Sequence, residues 1–262
     1  MLSSLLHRSS AWLFHAAAAL DFGGRKALAG WIMHSMRLPV AWLPVIAGFG
    51  RLTHRNEFES IADNFFRGTL RFPPLEWGLR AASDPLVMDV GVNLGVTLRW
   101  WLHLNSRTEI IAVDMIREAH EFAARVLDLM EPRWAAQVHA VHAVVSDAPG
   151  RMEIAFDDPL EGTNAADARG GATRREVAVR TLDEIWADAG SRDLLVLKID
   201  IEGAGGMALR GAAQMLRRTQ FVAAEWHGPA ELGQITAACL EAGLLLAATN
   251  DKMVFFERTA TL

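Results

Sequence analysis

Leu86-Val87-Met88-Asp89-Val90-Gly91-Val92-Asn93-Leu94-Gly95 decides how the rest of the chain is read. The apolar residues ahead of the glycines predict a buried strand over Leu86–Val90, turning sharply into a helix over Gly95–Leu104. Glycines at such a junction let the backbone bend tightly and approach a ligand at the crevice beyond the strand's carboxyl end. Asp89 can accept a hydrogen bond from an amine, and Asn93 can donate and accept. An acid ahead of the first glycine suits an amino-acid moiety better than a pyrophosphate. Ile110–Val113 predicts a second strand, closed by Asp114, 23 residues after Gly91, where a carboxylate takes both hydroxyls of a ribose. Strand, turn, helix, strand and acid make a nucleoside-binding unit.

Downstream, short apolar runs alternate with helical stretches, the pattern of parallel strands joined by crossover helices. Arg117–Met130 has helical spacing, Val138–Val145 predicts a third strand, and Met152–Phe156 and Val177–Arg180 are further extended runs. Between the last two lies Asp157–Thr173, rich in Gly, Ala and Asp. It is longer than a simple connector and is expected to cover the site, with Thr163 and Asn164 offering hydrogen bonds. Leu194–Ile199 reads as the central strand beside the first. Met207–Arg217 is expected as a helix, Phe221–Trp226 as a strand, Pro229–Ala242 as a helix, and Leu244–Thr249 with Val254–Glu257 as a closing hairpin.

Lys198-Ile199-Asp200-Ile201-Glu202-Gly203 ends the central strand, and its period of two sends three charged residues to one side at the mouth of the sheet. Unpartnered charge is costly there, so the stretch points to a functional cleft, with an ion pair of Lys198 and one of the acids as the structural alternative. Glu225 and His227 end the neighbouring strand.

The ordered set Asp89–Gly95, Val113-Asp114, Val144-Val145-Ser146-Asp147 with Gly150, Thr181-Leu182-Asp183-Glu184, Lys198–Gly203 with Leu209-Arg210-Gly211, and Glu225-Trp226-His227 resembles the FkbM family of methyltransferases, from about residue 86 to 258. The resemblance implies a Rossmann-like class I methyltransferase fold: an α/β, mostly parallel seven-stranded sheet with a C-terminal antiparallel hairpin. It implies S-adenosylmethionine as cofactor, held by Asp89, Gly91, Asn93 and Gly95, with Asp114 on the ribose and His142 and Ala143 beside the adenine. Val92, Asp114-Met115 and Gly205 depart from the family's usual Ala, Glu-Pro and second Glu, so no role is carried over to a carboxylate at position 205.

Methyl transfer to an alcohol needs the hydroxyl proton removed. His227 is the base expected from its ordinary titration range, with Asp200 as alternative or as the group that orients it, and Glu202 and Glu225 binding acceptor hydroxyls. Asp200, Glu202 and His227 are also donors suited to a divalent cation such as magnesium, although no metal is assigned. The expected acceptor is a hydroxyl on a sugar, a polyketide or a lipid-linked glycan. A nicotinamide-dependent oxidoreductase shares strand, turn and acid but needs the G-x-G-x-x-G spacing, which is missing here. A noncatalytic adaptor on the same fold is the other rival.

The chain has 262 residues and a net charge of -5, which supplies no field for a phosphate backbone and argues against nucleic acid as partner. Cys239 is the only cysteine, so an internal disulfide is excluded and a reducing, cytoplasmic setting is expected. Residues 1–80 read as a helical extension, with Trp12, Trp31, Trp42 and Trp77 and prolines at 39, 44, 73 and 74 breaking it into short pieces; residues 81–262 read as the Rossmann-like domain. The uncharged runs Ser9–Leu20 and Leu38–Gly50 are too short to span a bilayer. The extension is expected to pack on the main domain or across a homodimer interface, with a lipidic acceptor or contact to a membrane surface as the other options.

Overall fold

The structure, a computed structural model, describes residues 2–161, 164, 166 and 170–259, with side chains from Trp12 onward. The chain divides into two compact units, residues 1–71 and 72–262.

The first unit is helical. Its opening helix α1 (Leu2–Ser35) is interrupted at Gly24, whose φ of 62° and ψ of -153° only glycine adopts readily. The chain doubles back there, so that Trp12 Nε1 donates to Ser35 Oγ at 3.2 Å and the rings of His15 and Trp31 lie 4.9 Å apart. Fully buried Ala19 and Ala27 let the two arms approach closely. Prolines break the segment only beyond residue 38; earlier, a glycine does so, and the expected short pieces are replaced by this long bent helix. α2 (Arg55–Ile61) starts on a capping box made by His54 and Glu57 and widens into a looser turn over Ala62–Phe66. Phe49, Phe58, Phe65 and Phe66 form the buried centre of this unit.

The second unit opens with α3 (Pro73–Ala81) and runs β1 (Leu86–Val90), α4 (Val96–Leu104), β2 (Glu109–Asp114), α5 (Arg117–Met130), α6 (Pro132–Ala135) and β3 (Val138–His142). After β4 (Val144–Val145), β5 (Gly150–Phe156) and β6 (Thr173–Arg180) come α7 (Leu182–Asp188), β7 (Leu194–Ile199), α8 (Gly205–Arg210), α9 (Ala213–Leu216), β8 (Thr219–Glu225), α10 (Pro229–Glu241), β9 (Leu245–Thr249) and β10 (Met253–Glu257). Seven strands form one sheet in the order β3-β2-β1-β7-β8-β10-β9. β3, β2, β1, β7 and β8 are parallel to one another, and β10 enters antiparallel between β8 and β9. This is the Rossmann-like, mostly parallel seven-stranded arrangement the sequence predicts, closed by an antiparallel hairpin.

The central strands β1 and β7 pair directly, with Asp89 opposite Lys198. Both are nearly continuous runs of Leu, Val, Met and Ile because helices cover both faces, and Met88, Leu197, Val222 and Phe256 pack with no exposure. β4, β6 and β5 form a separate three-stranded sheet. Val138–Val145 is therefore two strands, not one. The amide of Ala143 makes a last bond to the Asp114 carbonyl at 3.1 Å, after which the chain turns to pair Val144 with Val179. The expected helix over Met207–Arg217 is also two pieces, α8 and α9, separated at Gly211-Ala212.

Candidate active site

The turn after β1 is held from three directions. Gly91 has a φ of 84°, and a Cβ placed on it would lie 1.8 Å from the Asp200 carbonyl oxygen, so no other residue fits between β1 and the end of β7. Its amide donates to the Val113 carbonyl at 2.9 Å, tying the turn to β2. Asn93 follows with a φ of 46°, a left-handed conformation that Asn tolerates better than most residues. Gly95 packs against Ala123 of α5, where a Cβ would stand 2.6 Å from the alanine methyl.

Asp114, at the end of β2, accepts the Asn93 amide on Oδ2 at 2.9 Å and the Ile116 amide on Oδ1 at 2.8 Å. Each carboxylate oxygen has a second acceptor site, so Asp114 can still take two hydroxyls. Asn93 Oδ1 is buried without a hydrogen-bond partner. An acceptor left in that state calls for a donor from a ligand.

Asp89 occupies a different position. Fully buried, it accepts Trp101 Nε1 on Oδ2 at 2.8 Å and faces Lys198 Nζ across Oδ1 at 3.2 Å. Lys198 also lies 3.5 Å from Asp200 Oδ2 and donates to the Gly91 carbonyl at 2.7 Å. Despite its burial, the two carboxylates keep its ammonium charged and push its pKa up. Sequence reasoning foresaw the ion pair as an alternative for Lys198; it had no signal for Trp101 or for the bond to the glycine turn.

A cleft of about 720 Å³, partly open to solvent, lies at the carboxyl ends of β1, β2 and β7. Gly91, Asn93 and Asp114 line one side of it; Ile116, Ala119 and Val144 provide an apolar wall. Ala143 also lines it, while His142 turns away and binds the Met115 carbonyl through Nε2 at 2.8 Å. Pro159, Glu161, Asn164 and Ala166 reach the cleft from the segment between β5 and β6. Asn164 spends its amide on the carbonyls of Asp158 and Glu161, both at 2.9 Å. Thr163 lies outside the described residues.

Asp200 and Glu202 line the far side of the cleft. Burial raises the Glu225 carboxyl, and with Asp200 as hydrogen-bond partner its pKa is pushed up to about 9, so Glu225 is a neutral acid donating to an anionic Asp200. Asp200 works against its own burial: the Lys198 ammonium and the Glu225 proton together pull it below the usual carboxylate range. Glu202 has an unfavourable φ of 43° and a pKa raised by burial. His227 stands 3.3 Å from Glu202 through Nε2 and accepts the Gly203 amide on Nδ1 at 3.1 Å. That acceptor bond puts the ring proton on Nε2, facing Glu202, and the ring does not line the cleft. Among the described residues, no cluster of three His, Cys, Asp or Glu is close enough to hold a metal ion.

Residues 89–254 match the model of the methyltransferase FkbM domain. The chain belongs to the FkbM methyltransferase family. The chain is similar to the 2-O-methyltransferase NoeI of Sinorhizobium fredii, 24% identical over 162 residues, a match covering 55% of this chain. The chain spans 63% of the length of that relative. Among solved structures, it is similar to a precorrin-6y C5,15-methyltransferase from Geobacter metallireducens, with 14% identity, a TM-score of 0.41, and coverage of 71% of this chain and 87% of that one. It is also similar to a magnesium protoporphyrin IX methyltransferase from Synechocystis with bound S-adenosylmethionine, with 10% identity, a TM-score of 0.43, and coverage of 81% and 88%. S-adenosylmethionine is the cofactor of the FkbM domain. The crowded glycine at 91, the unpaired Asn93 Oδ1 and the Asp114 carboxylate suit that cofactor's amino-acid and ribose parts.

Proposed function

We propose that this protein methylates a hydroxyl oxygen of a small polyhydroxylated acceptor, a sugar before a polyketide. The observation that carries this reading is the pair of carboxylates, Asp200 and Glu202, standing in one cleft with Asp114 and the glycine turn. Two acids with different proton affinities suit neighbouring hydroxyls, one to be bound and one to be deprotonated. The similarity to a 2-O-methyltransferase, NoeI, agrees with an oxygen acceptor.

Bound S-adenosylmethionine supplies an electrophilic methyl carbon on a positively charged sulfur. Asp114 would receive the ribose hydroxyls, Asn93 Oδ1 would receive a donor from the cofactor's amino-acid end, and Ile116, Ala119 and Val144 would enclose the base. Gly95 and Asp89 serve the turn from outside the cleft, Asp89 by holding Lys198 against the Gly91 carbonyl. Glu202 takes the proton of the attacking hydroxyl, because burial makes it a stronger base than an ordinary carboxylate. His227 orients Glu202 through Nε2, while Asp200 binds a neighbouring hydroxyl. Most of the acceleration would come from these residues holding the acceptor oxygen toward the cofactor's methyl group, which is transferred as S-adenosylhomocysteine is released.

The test is transfer of a labelled methyl group to a panel of sugars, polyketides and lipid-linked glycans, alongside calorimetric binding of S-adenosylhomocysteine. Asp114→Ala is expected to weaken binding about 10- to 100-fold, from loss of charge-assisted hydrogen bonds. Glu202→Gln is expected to lower kcat by about 100-fold or more with binding intact. Unchanged affinity in Asp114→Ala would refute the cofactor placement; retained binding with no methylated hydroxyl in the panel would favour an adaptor.

A further inference from the structure

Charge is unevenly distributed along the chain. Residues 1–71 hold eight Lys and Arg against four Asp and Glu, a balance of +4, whereas the whole chain carries -5 and residues 72–262 therefore -9. Up to residue 56 the only acidic side chain is Asp21, against six basic ones. Arg25, Lys26, Arg37 and Arg51 have no side-chain hydrogen-bond or ion-pair partner among the described residues, and Arg25 and Lys26 directly follow the bend at Gly24.

The same unit leaves several large apolar side chains in solvent. Leu13, Ala17 and Leu20 lie on one face of the first arm of α1 by their spacing of four and three, with Phe14 at its edge. Leu13 is 63% and Phe14 59% exposed, while Ala16 and Ala19 turn inward. Met36 and Trp42 are exposed to a similar degree. No described helix is long and apolar enough to cross a membrane. Apolar side chains that include Trp, in a stretch whose only acidic group up to residue 56 is Asp21, match the chemistry of an anionic lipid surface, where the rings and aliphatic chains enter the headgroup boundary and the basic groups meet lipid phosphates.

We propose that residues 1–71 form a surface anchor that lays the Leu13–Leu20 face of α1 into the boundary of an anionic bilayer without spanning it. The charge of -9 on the remaining residues is repelled by the same surface, which favours one orientation of the attached protein. This inference is independent of the methyl acceptor.

The test is co-sedimentation of the full chain with phosphatidylcholine vesicles, with and without phosphatidylglycerol. Association with the mixed vesicles is expected, weakening several-fold as added salt shortens the screening length below about 8 Å. Leu13→Ser with Phe14→Ser should lower the partition coefficient roughly tenfold or more, and Arg25→Glu with Lys26→Glu should reduce binding to the anionic vesicles alone. The substituted positions are exposed, so circular dichroism and S-adenosylhomocysteine affinity should be unchanged. Failure to associate with mixed vesicles, or a double serine variant that binds as tightly as the parent, would overturn the proposal. So would a parent dimer that the serine variant converts to monomer in sedimentation velocity, because a second copy would then occupy the face.

Discussion

Glu225 shows how a single proton sets the charge of the site. Its carboxyl is pushed up from the ordinary value of 4.5 to about 9 in the fold, first by burial and then by its bond to Asp200. A raised pKa means that the folded state holds the proton more tightly, so this contribution to stability is complete below the unfolded value and declines as pH rises through the folded one. Glu225→Gln keeps a hydrogen-bond donor for Asp200 but does not titrate. The variant and parent should therefore melt at similar temperatures near about pH 5, and the variant should melt increasingly higher than the parent toward about pH 9. A Tm difference independent of pH across that range would show that Glu225 is ionised in the folded protein. Asp200 has the opposite sign: its depressed pKa adds stability above the ordinary carboxylate range, lost as pH falls through the folded value.

At the scale of elements, Arg258 closes the end of the sheet opposite the cleft. Its guanidinium donates to the carbonyls of Thr219 at 3.0 Å, Leu216 at 2.7 Å and Ala242 at 3.0 Å, joining the start of β8 to the ends of α9 and α10. Arg258→Met is expected to destabilise the fold by roughly 2–3 kcal/mol, since half-buried carbonyls lose a charged donor, and to leave S-adenosylhomocysteine affinity unchanged; denaturant unfolding and calorimetry measure the two. Elements with strong patterns were legible in the sequence: β1 and β7 are apolar runs broken only by Asp89 and Lys198, α5 keeps helical spacing, and the Asn250-Asp251 turn separates β9 from β10. In the small sheet β5 and β6 were legible as extended runs but β4 was not, because a two-residue strand has no periodicity of its own and its pairing with β6 joins residues far apart in sequence. In the site, Gly91, Asn93 and Asp114 were readable from spacing, because the backbone demands of a turn leave few residue choices. The roles of Trp101, Lys198 and the apolar wall depend on which strands become neighbours, which local sequence does not encode.

For the whole molecule, the cleft lies entirely within residues 90–204, inside the second unit. Binding of S-adenosylhomocysteine should accordingly slow amide exchange over 89–95, 114–116 and 143–145, while amides of residues 12–71 keep their free rates. Hydrogen-exchange mass spectrometry would read this directly, and protection spreading through residues 12–71 would show that the units respond together. The two units also divide the chemistry of the chain, one basic with exposed aromatic and aliphatic side chains, the other acidic with the cleft.

The ribbon of β5 and β6 adds a consequence of its own. The segment that brings Pro159, Glu161, Asn164 and Ala166 to the cleft leaves one strand of this antiparallel pair and returns to the other, and the pair is fixed to α5 by the bidentate contact of Arg175 with Glu118, whose Nη1 bond is 2.7 Å. The seven-stranded sheet holds the glycine turn and Asp114 without help from that tip. A relative could therefore exchange the tip as a cassette and acquire a different methyl acceptor while inheriting the donor pocket unaltered.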